Sequence, residues 1–178
     1  MGRRSARHAF MPSVYVFPGG AVDRTDGRND TPGPIPPEDV AKLVAGLGAR
    51  ATPRRANALV QAALRETREE TGIDVASASI GPLRYVARAI TPPGRTRRFD
   101  ARFFCAQLSD ASIGFEATDE LEDVRWVPLD GSDLPFATIT RAILRELAER
   151  LRLDPTLRAD PPLPLYRAVR GTVVRSEF

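Results

Sequence analysis

Apolar residues recur at helical spacing in three stretches of the chain, and this pattern predicts three helices. A short helix covers about residues 37–48 and opens with a proline followed by two acidic residues. The longest helix begins at residue 53 or 54 and ends at 71, where Gly72 favours the left-handed backbone of a helix C-terminus. The third helix covers about residues 137–151.

Short runs of β-branched and aromatic residues, bounded by turn-forming residues, predict strands. The first run ends at Pro18-Gly19-Gly20, which predicts a sharp turn, and a Pro-Pro-Gly turn joins the second and third runs into a hairpin. Strands that alternate with a few helices predict one mixed α/β (α+β) domain over residues 1–178. The strand runs are residues 13–17, 83–90, 98–104 and 121–127.

Two segments lack this regular alternation. Residues 23–37 are rich in Asp, Thr, Gly, Asn and Pro, which predicts a surface loop. Together with the short helix they form an insertion at about residues 24–53, and we expect that helix to pack as a small lid. The prolines of residues 161–166 predict an extended stretch that follows the surface, within a C-terminal tail at about residues 154–178.

The basic residues are almost all arginine, with Lys42 as the single lysine and a formal net charge of +3. Arginine favours bidentate contacts with phosphate and carboxylate groups, although a GC-rich genome produces the same bias. No apolar run approaches the roughly 18 residues that span a bilayer. We therefore expect a soluble protein that has no membrane partner.

The single cysteine and the single histidine restrict the chemistry. Cys105 has no partner for an internal disulfide and lies in an apolar run, which predicts a buried strand thiol and a reducing compartment such as the cytoplasm. His8 lies near the N-terminus, so a Ser-His-Asp or Cys-His mechanism has little support.

Three carboxylates lie within one turn of the longest predicted helix. Glu66, Glu69 and Glu70 are spaced i, i+3 and i, i+4, so their side chains crowd one surface and repel one another. The cluster is either a solvated charged face or a site for hard cations such as Mg²⁺ and Mn²⁺, which prefer oxygen ligands. The apolar stripe of the helix runs directly into these carboxylates, which favours a metal site.

The segment from Arg65 to Ile73, together with the Gly19-Gly20 turn, strongly resembles the Nudix box, the signature of Mg²⁺-dependent hydrolases of nucleoside diphosphates linked to another moiety. The second half of the box matches at every position but one, where Thr67 replaces an apolar residue. The resemblance implies a Nudix-type α/β/α sandwich with a mixed central sheet. It also implies hydrolysis of a diphosphate bond with Mg²⁺ or Mn²⁺ as cofactor.

The same resemblance assigns roles residue by residue. It implies that Glu66, Glu69 and Glu70 bind the metal with the backbone carbonyl of Gly20, and that Arg65 orients the carboxylates by ion pairing. It further implies that either Glu66 or Glu69 accepts the proton of the attacking water, although some family members take this base from a later loop. The later candidates are Glu116, Glu120 and Glu122, each of which is otherwise a surface acid.

The first half of the box departs from the family pattern. Gly20 and Arg65 are 45 positions apart, whereas the pattern gives 14, so about 31 residues are inserted. Counted forward from Gly20, the first Glu of the box falls on Asp26, and counted backward from Arg65 it falls on Asn57. Neither is Glu, and the sequence leaves the contribution of this position to metal binding or loop anchoring open.

The insertion and the hairpin look like the branch of the family that includes peroxisomal coenzyme A diphosphatase-like proteins. This likeness implies that Arg88, Arg97 and Arg98 bind substrate phosphates, with solvent-facing strand arginines as the alternative. Coenzyme A or its esters lead the expected substrates. The upstream coenzyme A signature fits at Arg4-Ser5 but departs from the family at two positions, Ala9 and Ser13.

Other functions remain open. A non-catalytic nucleotide-binding or regulatory module is the main alternative, and nucleic-acid binding ranks last because the arginines form no basic run with interleaved aromatics. The expected partner is a small nucleotide-diphosphate substrate, and the sequence leaves a homodimer open. The chain begins where the family has its second strand, so we expect a misplaced start or a missing sheet edge.

Overall fold

The computed structural model describes residues 1–5, 13–28, 33–91, 93–94, 98–110, 114–115, 121–130, 133–169 and 172–177. Strands and helices alternate within these residues, as the sequence predicts. The helices are α1 (Pro37–Gly46), α2 (Pro53–Thr71), α3 (Val75–Ala78) and α4 (Thr138–Leu153). The strands are β1 (Gly2–Arg4), β2 (Tyr15–Val16), β3 (Arg84–Ile90), β4 (Asp100–Cys105), β5 (Leu121–Glu122), β6 (Pro164–Val169) and β7 (Thr172–Glu177).

The strands form two sheets. Strands β2, β1 and β5 pair antiparallel in that order, and the larger sheet has the order β4-β3-β6-β7. Strands β3 and β6 are parallel, while the other pairs of the larger sheet are antiparallel, so this sheet is mixed. The predicted hairpin is confirmed as β3 and β4, whereas the runs at residues 13–17 and 121–127 form strands of only two residues.

The two longest helices, α2 and α4, cover opposite faces of the mixed sheet. Val60 of α2 packs with Tyr85 of β3, and Ile143 of α4 packs with Ala87 of the same strand. A register shift between Tyr85 and Ala87 separates the two clusters. The molecule is therefore an α/β/α sandwich, which confirms the expected fold class. Among the described residues, no helix is both long enough and apolar enough to cross a bilayer.

Helix α2 has the predicted bounds because both of its ends are capped. The Thr52 side chain accepts a hydrogen bond from the backbone N–H of Arg55, and Pro53 occupies the first turn, where its missing N–H costs nothing. At the other end Gly72 has φ 76° and donates its N–H to the carbonyl of Arg68. These caps hold the carboxylate-bearing last turn in helical geometry.

The expectation that the inserted helix is a lid is wrong. Leu43 of α1 is fully buried in the cluster that contains Val60 of α2 and Leu83. The Asp39 carboxylate, also buried, accepts the backbone N–H of Tyr85 at 3.0 Å. An amphipathic helix gains stability only when its apolar face is covered, and α2 with the start of β3 supplies that cover. The insertion is thus part of the core.

The expectation of a surface-following tail is also wrong. Residues 164–169 form β6, which lies between β3 and β7 in the mixed sheet. Leu163, Leu165 and Tyr166 are buried, because two packed faces are available to them once the strand enters the sheet. Proline is compatible with this placement since Pro164 is the first residue of the strand.

The packing of α1 can be tested by truncation of its buried leucine. Leu43→Ala should lower the free energy of unfolding by about 2–5 kcal/mol, because it leaves a cavity between α1 and α2. The matched control is Leu153→Ala at the end of α4, where the residue is 69% exposed, and its effect should stay within about 0.5 kcal/mol. Urea denaturation measures both, and equal small effects would show that α1 is a lid after all.

Candidate active site

The Gly19-Gly20 turn meets the last turns of α2. The backbone N–H of Gly19 donates to Glu70 Oε2 at 2.7 Å, and Gly19 has φ 147°, a conformation that other residues rarely adopt. A Cβ atom at Gly20 would collide with the carboxylate of Glu66. The turn therefore needs glycine for two separate reasons, backbone conformation at one position and close approach at the next.

The three helix carboxylates differ in their surroundings. Glu70 is 7% exposed, and the side chains of Glu66 and Glu69 are 14% and 58% exposed. Glu66 and Glu69 are joined through Arg65, whose Nη1 lies 2.9 Å from Glu66 Oε1 and 2.8 Å from Glu69 Oε2. The guanidinium offsets the repulsion between these two carboxylates, which share one face of the helix.

Arg65 is held in place by Asp26. Its Nε and Nη2 donate to the two oxygens of the Asp26 carboxylate at 2.9 and 3.1 Å, and Nη2 also donates to the carbonyl of Ala21 at 3.2 Å. The Asp26 side chain is 4% exposed and accepts a further hydrogen bond from the backbone N–H of Asp23. The hydrogen bonds from Arg65 hold the pKa of Asp26 below its usual value although burial opposes this.

Asp26 thus occupies the position of the first Glu of the box, whose contribution the sequence left open. It anchors the loop through Arg65, while Asn57 accepts the backbone N–H of Gly33 at 3.0 Å and holds the inserted chain against α2. The box pattern counted forward from Gly20 therefore gives the correct acidic residue, Asp26, and the inserted residues follow it in the chain. Asp26 lies in a 3-10 turn, Asp26–Arg28, and that turn brings its shorter side chain to the guanidinium.

Thr67, the one departure within the second half of the box, has its hydroxyl satisfied within the helix. Its Oγ1 donates to the carbonyl of Ala63 at 2.7 Å, as Thr71 Oγ1 does to the carbonyl of Thr67 at 2.6 Å. No uncompensated polar atom is introduced by the threonine, which explains how the helix accepts it.

The arginines predicted to bind phosphate have different positions. Arg88 donates through Nε and Nη2 to Asp100 at 2.7 and 2.8 Å, and Arg98 is exposed just before β4. Arg97 lies outside the described residues. The sequence reasoning missed Arg102, whose side chain is 8% exposed and lies directly across the hairpin from Arg88. The sequence feature that could have identified Arg102 is its position two residues after Asp100, because residues two apart in a strand lie on the same face of the sheet.

The other candidates are peripheral or not described. Glu122 pairs with Arg3 at 3.1 Å, with both side chains about half exposed, as expected of an acid on a strand at the sheet edge. Glu116, Glu120 and His8 lie outside the described residues. Cys105 lies in β4 but is only partly buried, and burial raises its pKa to about 11, so the thiol is protonated at neutral pH.

Comparison with protein families identifies the family of this chain. Residues 53–147 match the NUDIX domain, which is more than half of the 178 residues, and the chain belongs to the Nudix family. The match begins at Pro53, the first residue of α2, so it contains Arg65 and the three helix carboxylates but not the glycine turn. The insertion separates that turn from the matched region.

Comparison with solved structures supports the same fold. A crystal structure of a NUDIX hydrolase from Alicyclobacillus acidocaldarius superposes with a TM-score of 0.57 and 25% sequence identity, over 90% of this chain and 88% of that chain. No curated protein matches the chain.

The close approach of Gly20 to Glu66 predicts that a larger residue at position 20 destabilises the protein. Gly20→Ala should lower the free energy of unfolding by about 1–3 kcal/mol, because either the turn or the Glu66 carboxylate must move. Gly81→Ala is the control, since nothing lies within 4 Å of the position that its added methyl group would take, and its effect should be within about 0.5 kcal/mol. Chemical denaturation of the two variants side by side measures the difference, and indistinguishable values would contradict the contact.

The Asp26–Arg65 pair predicts a pH-dependent contribution to stability. Asp26→Asn should lower the free energy of unfolding by about 1–3 kcal/mol at pH 7, because Arg65 keeps its pairs with Glu66 and Glu69 but loses the buried carboxylate that binds its Nε and Nη2. The folded-state pKa of Asp26 is lowered, so the pair stabilises above the unfolded pKa of about 3.9 and is lost as the pH falls through the lower folded value.

The difference between wild type and Asp26→Asn should therefore shrink on acidification below about pH 4. Glu122→Gln, which breaks the exposed pair with Arg3, is the control and should cost less than about 1 kcal/mol. Thermal unfolding at several pH values provides both readouts, and a pH-independent difference would rule out the ion pair as its cause.

Proposed function

We propose that the chain is a divalent-metal-dependent hydrolase that cleaves a diphosphate bond in a nucleoside diphosphate linked to another moiety. The observation that carries the proposal is the contact between the glycine turn and the acidic end of α2. Gly19 bonds Glu70 and the backbone of Gly20 lies against Glu66, so the two halves of the box meet despite the insertion. Membership of the Nudix family supports the reaction class.

The residues at this contact fit Mg²⁺ or Mn²⁺. Hard divalent cations bind carboxylate and carbonyl oxygens, and Glu66, Glu69, Glu70 and the Gly20 carbonyl are donors of this type. When bound, the cations would neutralise phosphate charge and acidify the attacking water. Glu66 is the more shielded of the two candidate bases and Glu69 the more exposed. Either carboxylate would take the proton of that water.

Arg65 holds the carboxylates of the proposed metal site in position. It spreads its donors over Asp26, Glu66 and Glu69, so the carboxylates keep defined positions while their repulsion is offset. Glu69 has the most exposed side chain of the three acids, and its pair with Arg65 lies at the surface. We infer that Glu69 is the carboxylate that adjusts when a cation binds.

Coenzyme A or its esters head the proposed substrates, followed by nucleotide sugars, ADP-ribose and dinucleoside polyphosphates. The insertion and the Arg-Phe-Asp strand support the coenzyme A branch, while Ala9 and Ser13 depart from its upstream signature. The purified chain should be incubated with a panel of these diphosphates and Mg²⁺, with products identified by mass spectrometry. Release of two phosphate-containing products from one class identifies the substrate.

A non-catalytic nucleotide-binding module is the second candidate, and one observation favours it. In the part of the chain that the structure describes, no three acidic, histidine or cysteine side chains form a ready metal-binding group. The hydrolase proposal explains this through Arg65, which holds both Glu66 and Glu69 in ion pairs. Titration with Mn²⁺ separates the two candidates, because a module without a metal site binds none at millimolar concentration.

The proposal predicts the effect of neutralising single carboxylates. Glu69→Gln and Glu70→Gln should fold normally and lose metal-stimulated diphosphate hydrolysis by about 100-fold or more, because each removes a charged oxygen donor or the base. Glutamine at position 70 still accepts the N–H of Gly19, so the turn is retained. Glu149→Gln, which removes an exposed pair with Arg152 on α4, is the control and should keep full activity. Full activity in both site variants would exclude the assignment.

A further inference from the structure

A cavity of about 270 Å³ lies beside the start of β3. The pairing of β3 with β6 begins only at Arg88, so the residues from Arg84 to Ala87 pair with β4 alone. The cavity is bordered by these first residues of β3, by α1, α4 and β7, and by the loop between α4 and β6. It therefore occurs where the two central strands of the mixed sheet are not yet paired.

Part of the cavity wall is apolar. Val86 of β3 and Leu153 of α4 border it, as do Leu157, Pro161 and Pro162 of the loop between α4 and β6. Leu157 is buried although its φ of 51° lies in the left-handed region that a leucine rarely adopts. The loop thus holds a leucine against the cavity at a cost in backbone strain. Such a wall suits a ligand with an apolar body.

One carboxylate at the cavity has an unsatisfied oxygen. Asp39 borders the cavity and is 1% exposed. Its Oδ2 accepts the backbone N–H of Tyr85 and lies 3.0 Å from Arg84 Nε, whereas its Oδ1 is buried and has no hydrogen-bond donor among the described residues. Lys42 Nζ lies 3.8 Å from Oδ1, beyond hydrogen-bond distance. A buried charged oxygen without a donor is costly, so an added donor would stabilise it.

Other acceptors hold the Lys42 ammonium group. Its Nζ donates to the Asp160 carboxylate and to the carbonyl of Pro161 at 3.2 Å. A lysine side chain is flexible, so Lys42 can keep these two acceptors while another cation approaches Asp39. The lysine therefore compensates part of the charge of Asp39 and leaves the hydrogen-bonding capacity of Oδ1 unused.

Acidic side chains outnumber basic ones around the cavity. Among the described residues, six carboxylates and four basic groups border it, which leaves two negative charges. Their charged partners outside the cavity do not change this excess, because Arg152 pairs with Glu149 and Glu38 pairs with Arg84. One negative charge remains even if Asp39 carries a proton. The potential in the cavity therefore favours a cation.

We propose that the cavity binds a small organic cation, an amine with an apolar body, whose ammonium group donates to Asp39 Oδ1. The excess of carboxylates attracts the cation, the apolar wall covers its body, and the unsatisfied oxygen fixes its charged end. Pockets for drug-sized ligands measure roughly 300–1,000 Å³. The cavity is slightly smaller, so its ligand has about the size of one ring with a short chain. The same carboxylates repel a phosphate.

The site goes beyond the proposed hydrolysis. Neither the Gly19-Gly20 turn nor any residue of α2 is among the residues that border the cavity, and binding of an amine needs no metal. Helix α1 lies in both structures at once, because it packs Leu43 against α2 and presents Asp39 at the cavity. The inserted helix thus has a ligand-binding role in addition to its packing role.

The test is binding of phenethylamine to the full chain in a chelating buffer, measured by isothermal titration calorimetry at constant ionic strength. Phenethyl alcohol and hydrocinnamate are the comparison probes, since they replace the ammonium group by a neutral hydroxyl and by a carboxylate. The amine should bind at least about tenfold more tightly than either, because it alone brings a charged donor to Asp39 Oδ1.

Two variants should change amine binding in opposite directions. Asp39→Asn should weaken it about tenfold and abolish the preference over the alcohol, while the amide oxygen still accepts the N–H of Tyr85. Lys42→Met removes the neighbouring cation and should tighten amine binding about threefold or more. The control is Arg3→Gln, which removes an exposed positive charge paired with Glu122, away from the residues that border the cavity, and should leave binding unchanged.

The proposal is overturned if phenethylamine shows no binding at millimolar concentration, if the alcohol binds as tightly as the amine, or if Lys42→Met changes binding no more than Arg3→Gln does. None of these outcomes requires Asp39→Asn to fold. Glu66→Gln should bind phenethylamine as the wild type does, so failure of the proposed hydrolysis would not be mistaken for failure of this site.

Discussion

The ion pair between Asp26 and Arg65 is the interaction on which the arrangement of the site depends. Three segments meet at this guanidinium: the loop after the glycine turn, the 3-10 turn and the last part of α2. A planar fork that is held by one buried carboxylate has a fixed orientation, so its remaining donor reaches Glu66 and Glu69 at defined places. The repulsion that three crowded carboxylates would impose on a bare helix is thereby offset within the chain.

The insertion strengthens this arrangement from the outside. The insertion begins just after Asp26. It passes so close to α2 that a side chain at Gly33 would collide with Val60, and its helix α1 packs into the core. Burial of Leu43 against α2 makes the added segment part of the structure that the site rests on.

Arginine is used in two ways in this chain. At Arg65, and at Arg150 with Arg175, the guanidinium groups donate to carboxylate and carbonyl oxygens of separate elements and so join them. At the β3–β4 hairpin Arg88 and Arg102 both contact Asp100, and Arg102 Nε has no acceptor among the described residues. Arginine thus joins segments that are distant in the chain at Arg65, and it joins facing strands at the hairpin.

The sequence by itself determined the local features: the bounds of α2 through Pro53 and Gly72, the β3–β4 hairpin, and the crowding of Glu66, Glu69 and Glu70, because caps, turns and helical spacing depend on neighbours along the chain. It did not decide that α1 and β6 lie inside the molecule, since a short apolar helix and a proline-rich strand look alike in sequence whether exposed or covered. Only the tertiary structure showed that Asp26 holds Arg65 and that Arg102 joins Arg88. Those pairs form between residues far apart in the chain or on facing strands, where packing alone sets which side chains meet.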